Sequence, residues 1–252
     1  MRIDINADLG ESFGQYILGD DEKLMSVITS ANVACGYHAG DYRTIPQAIK
    51  RAKEANVAIG AHPGYPDLLG FGRRNMEIPA EEVYQLVVYQ VGAVKAFCMV
   101  EGIQLHHVKP HGALYNAAAK DRNLALAIAQ AVKDVDRDLV LYGLANSQLI
   151  EVAKQLDLAY ASEVFADRTY TEEGLLTSRQ SEGAVLTNLE SIKKQVYEFI
   201  FEGVVTTTSN KKIPIQADTL CLHGDGQSAY NHAKAIRDML EAERVNVQAI
   251  NY

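Results

Sequence analysis

Four short segments pair a histidine with a neighbouring glycine, and each follows a short apolar run. They lie at 38–41, 62–65, 109–112 and 223–226. Histidine transfers protons or binds metals near neutral pH, and glycine lets the backbone come close to a ligand. Active sites of α/β barrels lie at the carboxyl ends of their strands. The pattern therefore predicts the rim of such a barrel and indicates an enzyme.

Polar side chains at the ends of the predicted strands form two groups of candidates. Those with catalytic chemistry are Asp8, His38, His62, Lys109, His111 and His223. Those expected to bind substrate are Asn6, Asp41, Glu163, Asp167, Arg168 and Asp225. A structural alternative stays open for several of them, since Asp8 and Asp225 could cap a loop or a helix and Arg168 could form a plain salt bridge.

Two chemistries are open if Asp8, His38 and His62 converge on one point. The set would suit a metal ion, as in metal-dependent deacetylases. It would equally suit a proton relay without a metal. The histidines do not have the H-E-x-x-H or H-x₃-H spacing that would identify a metal site. The sequence therefore leaves the metal undecided.

A small anionic ligand fits the basic candidates. Lys109 at the end of a strand suits a carboxylate or a phosphate. Arg168 could clamp a carboxylate while Asp167 orients it, and Arg179 could approach the same place if its loop folds over. His106 and His107 are adjacent strand residues that face opposite ways, so at most one of them faces the site.

Apolar runs alternate with helical periodicity from one end of the chain to the other. The predicted strands are 3–7, 32–35, 57–61, 104–108, 139–142, 159–164 and 219–222. A capping box at Thr44 and Gln47 is expected to start one of the helices between them. This alternation specifies a parallel sheet covered by helices, and polar residues after nearly every strand favour closure over an open sheet. We expect an α/β fold, an irregular seven-unit (β/α) barrel forming a single domain over 1–252.

Composition excludes several classes of partner. The 252 residues are 48% hydrophobic with a net charge of −8, and no dense basic run suits nucleic acid or an anionic membrane. No apolar run is expected to span a membrane.

The first residues are unlike a signal peptide, and Cys35, Cys98 and Cys221 form no C-x-x-C pair, which predicts a reduced cytoplasmic protein with buried thiols. The long stretches 165–186 and 204–217 are expected to be lids or partner surfaces.

Taken in order, the motifs resemble the LamB/YcsF family over essentially the whole chain. They are NADLGE at 6–11, SANVACGYHAGD at 30–41, GAHPGYPD at 60–67, GFGRR at 70–74, KPHGALYN at 109–116, EVFADR at 163–168 and HGD at 223–225. The sequence departs mildly from the family pattern at Tyr37, where phenylalanine is usual, and at Ser178, where proline is expected. Neither departure removes a candidate catalytic group.

The resemblance implies a fold similar to the glycoside hydrolase/deacetylase barrels and the A-subunit role in a bacterial 5-oxoprolinase. That activity is the ATP-dependent opening of 5-oxo-L-proline to L-glutamate, with Mg²⁺ accompanying ATP and with separate B and C subunits. No tightly bound cofactor is expected, and no nucleotide motif is present in the sequence. The alternatives are a stand-alone metal-dependent hydrolase of the deacetylase kind and a non-catalytic subunit that binds substrate or positions partners.

Overall fold

Short buried strands and their covering helices are described for residues 1–222 and 229–251 of the computed structural model. The strands are β1 (Arg2–Leu9), β2 (Ser30–Ala34), β3 (Ala58–His62), β4 (His107–Val108), β5 (Val140–Leu144), β6 (Tyr160–Phe165), β7 (Val204–Thr206), β8 (Lys212–Pro214), β9 (Thr219–Leu222) and β10 (Asn246–Val247). The helices are α1 (Asp21–Met25), α2 (Thr44–Glu54), α3 (Ala80–Val100), α4 (Gly112–Ala118), α5 (Arg122–Val135), α6 (Gln148–Gln155), α7 (Leu189–Tyr197) and α8 (Ala229–Ala242), and a π-helical turn, Glu198–Glu202, follows α7.

Seven parallel strands close into a barrel in the order β1-β2-β3-β4-β5-β6-β9, and β9 also pairs with β1. This confirms the predicted seven-unit α/β barrel. The closing registers align Asn6 with Cys221 and Glu163 with Thr219, so residues far apart in sequence meet inside the barrel. The fourth strand is shorter than predicted, and the stretch 204–217 contains the antiparallel hairpin of β7 and β8.

The start of α2 differs from the prediction. The Asp41 carboxylate, not Thr44, caps this helix, because its Oδ1 accepts hydrogen bonds from the backbone N–H groups of Arg43 and Thr44, each at 2.8 Å. Its Oδ2 accepts a further bond from the Gly14 N–H at 2.8 Å. These backbone bonds lower the pKa of Asp41 to about 2. The residue thus joins the loops that follow β1 and β2.

Helix α3 is long and apolar enough to cross a membrane by length and composition alone, which corrects the expectation that no run reaches that length. Its apolar stripe, however, is buried against the rest of the protein, with Val83, Val87 and Val91 fully inaccessible. Gln90 on the same helix donates from Nε2 to the Gly64 carbonyl and accepts from the Gly64 N–H, both at 2.9 Å. The helix therefore packs as a covering helix of the barrel.

The barrel interior near the amino ends of the strands is polar. Asp4 on β1 is 1% exposed, and its carboxylate accepts hydrogen bonds from the hydroxyls of Thr29, Ser30, Tyr142 and Thr219 at 2.5–3.0 Å. Burial raises the pKa of Asp4, while these four hydrogen bonds act in the opposite direction. Three segments, at the starts of β2 and β9 and in β5, are thus tied to one carboxyl group of β1.

Replacing Asp4 by alanine is expected to lower the free energy of unfolding by roughly 3–5 kcal/mol, because it leaves several buried hydroxyls without their acceptor. Asp4→Asn keeps the shape and one oxygen acceptor without the charge that burial disfavours, so we expect a clearly smaller loss. Urea unfolding of both variants measures the difference. Equal losses would show that the hydroxyl cluster does not depend on this acceptor.

Candidate active site

A pocket of about 550 Å³ opens at the carboxyl ends of the barrel strands. Its lining includes the predicted residues Asp8, His62, Lys109, His111 and Arg168, together with Arg73, Tyr115, Lys120, Phe165 and Arg179. The convergence predicted from strand ends is therefore present for four of the six catalytic candidates. His223 and Asp225 lie outside the described residues.

Lys109 lies at the floor of this pocket and is 2% exposed. Its Nζ is 3.0 Å from Asp8 Oδ1 and 2.9 Å from Glu163 Oε1, and it donates to Asn6 Oδ1 at 3.1 Å. Burial opposes the charge of the ammonium group, but the two carboxylates outweigh it, so the pKa of Lys109 lies well above its usual value. The ammonium form of Lys109 is therefore favoured, with its charge balanced by the two carboxylates.

Asn6 and Glu163 lie beneath the pocket instead of lining it. Glu163 is fully buried, and its Oε1 accepts from Asn6 Nδ2 at 3.0 Å while its Oε2 accepts from the Tyr115 hydroxyl at 2.7 Å. Asn6 Nδ2 also donates to the Thr219 hydroxyl at 2.7 Å. Both residues position Lys109, and their direct contact with substrate stays a prediction.

His62 and His111 meet beside Asp8. The His62 Nε2 atom is 3.2 Å from Asp8 Oδ2 and 2.9 Å from His111 Nδ1. The other ring nitrogens are 2.7 Å from the Lys109 carbonyl oxygen and 2.8 Å from the Phe71 carbonyl oxygen, respectively. Two backbone carbonyls thus fix the orientation of both rings.

His38 lies behind His111 and does not line the pocket. The two rings stack with centroids 3.7 Å apart, and His38 Nε2 is 3.8 Å from Glu11 Oε1. Burial lowers the pKa of both His38 and His111 well below the usual value, so both rings are neutral at pH 7. His38 can therefore influence the pocket only through the residues that it contacts.

Glycines permit this close packing of histidines. A Cβ atom at Gly72, whose φ is +63°, would lie 2.7 Å from His38 Cβ and 2.7 Å from His111 Cδ2. A Cβ atom at Gly64 would lie 2.8 Å from His38 Nδ1. Gly64, beside His62 in the sequence, and Gly72 therefore leave room for the imidazole rings.

Two arginines of the segment after β6 lie at the pocket. Arg168 is 3% exposed and donates to the carbonyl oxygens of Ala184, from Nε at 3.2 Å, and Thr177, from Nη2 at 2.5 Å. Burial, followed by the nearby charge of Arg179, lowers the pKa of Arg168 to about 10, and Asp167 opposes this shift. These hydrogen bonds of Arg168 hold the segment over the pocket. Arg179 lines the mouth of the pocket, as the sequence analysis suggested.

Asn32 and Tyr115 are positioning residues that the sequence analysis missed. Asn32 Nδ2 donates to Asn6 Oδ1 at 2.8 Å and to Asp8 Oδ1 at 2.9 Å. Its Oδ1 is 2.8 Å from Nε2 of His107, which is the inward-facing member of the His106–His107 pair. Asn32 aligns with Asp8 across β1 and β2, and the strand pairing that reveals this contact is not visible in either segment alone.

Comparison with known proteins identifies close relatives along the full length of the chain. A model of the LamB/YcsF family matches residues 3–252. Two proteins of Staphylococcus aureus, from strains MRSA252 and MSSA476, carry the name of the A subunit of 5-oxoprolinase. They are 52% and 51% identical over 250 residues, 99% of this chain and 100% of each relative.

Solved structures support the same relationship. The lactam utilization protein from Thermus thermophilus matches with a TM-score of 0.93 and 43% identity over 99% of this chain and 100% of that chain. The catalytic domain of a peptidoglycan N-acetylglucosamine deacetylase from Eubacterium rectale matches with a TM-score of 0.50 and 10% identity, covering 99% and 88% of the two chains. At that identity the deacetylase shows a shared fold alone.

Replacing Gly72 by alanine is expected to disrupt the histidine cluster. The left-handed backbone costs an alanine roughly 1–2 kcal/mol, and the contact with His38 and His111 adds roughly 1–3 kcal/mol of overpacking. Gly102→Ala is the matched control, because Gly102 has φ +68° but its Cβ would meet nothing within 4 Å. Urea unfolding and the imidazole NMR signals should show a larger loss and shifted rings for Gly72→Ala only. Equal losses without shifted rings would contradict the packing argument.

Proposed function

The chain belongs to the LamB/YcsF family, and on this premise we propose that it is the A subunit of a 5-oxoprolinase, which hydrolyses 5-oxo-L-proline to L-glutamate with the consumption of ATP. The observation that carries the proposal is Lys109, paired with Asp8 and Glu163 at the floor of a pocket whose mouth holds arginines. A small molecule with a carboxylate and a lactam oxygen matches this charge distribution.

In this proposal the substrate contacts both the mouth and the floor of the pocket. Arg179 at the mouth, supported by Arg168, attracts the substrate carboxylate, whereas Lys109 at the floor faces the part of the ligand that enters deepest. Negative charge lies on the oxygens of the activated lactam when water adds to the carbonyl carbon. A fixed ammonium group in a buried site stabilises such charge without having to reorganise.

Asp8 is the residue best placed to act as general base. Its Oδ1 is held by Lys109 and Asn32, while its Oδ2 lies on the side of His62. The carboxylate can take a proton from water at the pocket floor, and His62 and His111 offer a hydrogen-bonded path for that proton. Protonation of the amide nitrogen then allows the ring to open.

ATP consumption fits the chemistry of an unstrained lactam, whose amide resists direct hydrolysis. Bound ATP, accompanied by Mg²⁺, would phosphorylate the lactam oxygen and leave ADP. Water would then add to the ring carbon, cleavage of the C–N bond would leave an acyl phosphate, and a second water would release L-glutamate and inorganic phosphate. Arg73 and Lys120 also line the pocket and would hold phosphate oxygens of the nucleotide or of the activated lactam. We include separate B and C subunits in the proposal because the relatives are named as subunits, and we place the reaction in the cytoplasm, where ATP is available.

Glutamate release from 5-oxo-L-proline tests this function. The chain is assayed alone and with its B and C partners, each with and without ATP. We expect release only from the complete set with ATP. Release by the chain alone without ATP would instead support the stand-alone, metal-dependent hydrolase, and no release from the complete set would refute the proposed substrate.

Asp8→Asn is expected to lower kcat of the complete complex by roughly 10²–10⁴-fold, the usual contribution of a general base. Asp238→Asn removes an exposed carboxylate of α8 that pairs with Lys234, and we expect it to leave kcat unchanged. Circular dichroism checks that both variants fold. Full activity of Asp8→Asn would remove this carboxylate from the mechanism.

Arg179→Gln is expected to raise KM for 5-oxo-L-proline roughly tenfold or more, as for the loss of one charged hydrogen bond, with a smaller change in kcat. Arg137→Gln serves as a control, because this exposed residue precedes β5 and therefore lies at the opposite end of the barrel. Steady-state kinetics of the complex separates KM from kcat. An unchanged KM would place the substrate carboxylate elsewhere.

A further inference from the structure

The rings of His62 and His111 face each other in an unusual way. His62 Nδ1 is 2.7 Å from the Lys109 carbonyl oxygen, and His111 Nε2 is 2.8 Å from the Phe71 carbonyl oxygen. A carbonyl oxygen only accepts hydrogen bonds, so each of these nitrogens carries a ring hydrogen. The second nitrogens of the two rings, His62 Nε2 and His111 Nδ1, lie 2.9 Å apart, and a hydrogen bond between them requires a further proton on one of them.

Without that further proton, two lone pairs would lie close together and repel unless a cation binds both. Nitrogen ligands about 2.1 Å from a tetrahedral Zn²⁺ ion lie roughly 3.4 Å apart, so the two rings would separate by about 0.5 Å from the observed 2.9 Å when they bind one ion. A proton shared by the two rings is the competing explanation, and measurement of bound metal distinguishes the two.

Further donor atoms surround the pair. Asp8 Oδ2 is 3.2 Å from His62 Nε2, and the possible ligand atoms of Glu11, His38, His62 and His111 all lie within 4.8 Å of one another. Imidazole nitrogens combined with carboxylate oxygens suit divalent transition metals such as Zn²⁺ and Mn²⁺. Ca²⁺ and Mg²⁺ prefer all-oxygen sites and fit this set less well.

His38 provides an independent observation. It is 0% exposed, and neither of its ring nitrogens has a hydrogen-bond partner among the described residues. A buried polar atom without a partner costs roughly 1–3 kcal/mol, and native proteins avoid such atoms unless an ion, a water or a function accounts for them. A cation at this cluster gives the ring a partner.

The surroundings also resemble the outer shell of a metal site. Ligating histidines usually donate their second ring N–H to a carbonyl or a carboxylate, which fixes the tautomer and the ring orientation. The Lys109 and Phe71 carbonyls do this for His62 and His111. His38, His62 and His111 follow β2, end β3 and follow β4, so the rigid barrel holds all three.

We propose that this chain binds one divalent transition-metal ion at His62 and His111, with Asp8, Glu11 and His38 as the further donors. Asp8, His62 and His111 line the pocket, so the ion would be accessible from the pocket. The inference goes beyond the proposed function, which assigns no resident metal to this chain, and it concerns binding alone.

Metal binding by the full chain is measured directly. Protein treated with a chelator is dialysed against Zn²⁺ or Co²⁺, and bound metal per chain is determined by mass spectrometry. We expect one equivalent, and a loss of affinity greater than about 100-fold in His62→Ala and in His111→Ala, beyond the usual effect of outer-shell changes. His232→Ala on α8 is the matched histidine control and should bind like the wild type.

A second measurement keeps the proposal testable if the alanine variants misfold. X-ray absorption of the Co²⁺-loaded wild type should show at least two imidazole nitrogens on the ion. Absence of stoichiometric metal, unchanged affinity in the His62 and His111 variants, or a coordination sphere without imidazole would overturn the proposal and favour the shared proton. Glutamate release is measured separately, so a negative result in the metal-binding experiment does not decide the proposed function.

Discussion

The buried ammonium group of Lys109 is the interaction on which the site depends. An isolated charge in the barrel interior would be strongly unfavourable, and carboxylates of Asp8 and Glu163 within about 3 Å compensate it. These partners come from β1 and β6, which are brought together because β9 pairs with both. Closure of the barrel therefore brings the two carboxylates to Lys109, and their ion pairs with Lys109 stabilise the closed barrel.

A polar network extends from this lysine through the barrel towards the amino ends of the strands. Asn32 links Asp8 to His107, the His107 ring stacks on Tyr142 at 4.1 Å, and the Tyr142 hydroxyl donates to Asp4 at 3.0 Å. Barrel interiors are commonly filled by branched apolar side chains. Here a satisfied hydrogen-bond network fills much of that space, which rigidifies the groups that face the pocket.

Much of this arrangement could be predicted from the chain. Alternating apolar runs and helical segments indicated the seven-unit barrel, and the polar residues at strand ends led to Asp8, His62, Lys109 and His111. The local partners of a polar residue could not be predicted where several were possible. Asp41 turned out to cap α2 and to bind Gly14, and Glu163 is covered by Tyr115, because local sequence does not indicate which donor is nearest.

Hydrophobic periodicity and turn residues are local properties, so the chain alone indicated which residues end the strands. The closed barrel determines which atoms meet: His62 Nε2 lies 2.9 Å from His111 Nδ1, His38 lies behind them without a hydrogen-bond partner among the described residues, and Asn32 supports Asp8. These contacts depend on strand register, ring orientation and backbone carbonyls from distant segments. Such three-dimensional relations arise only when the barrel closes.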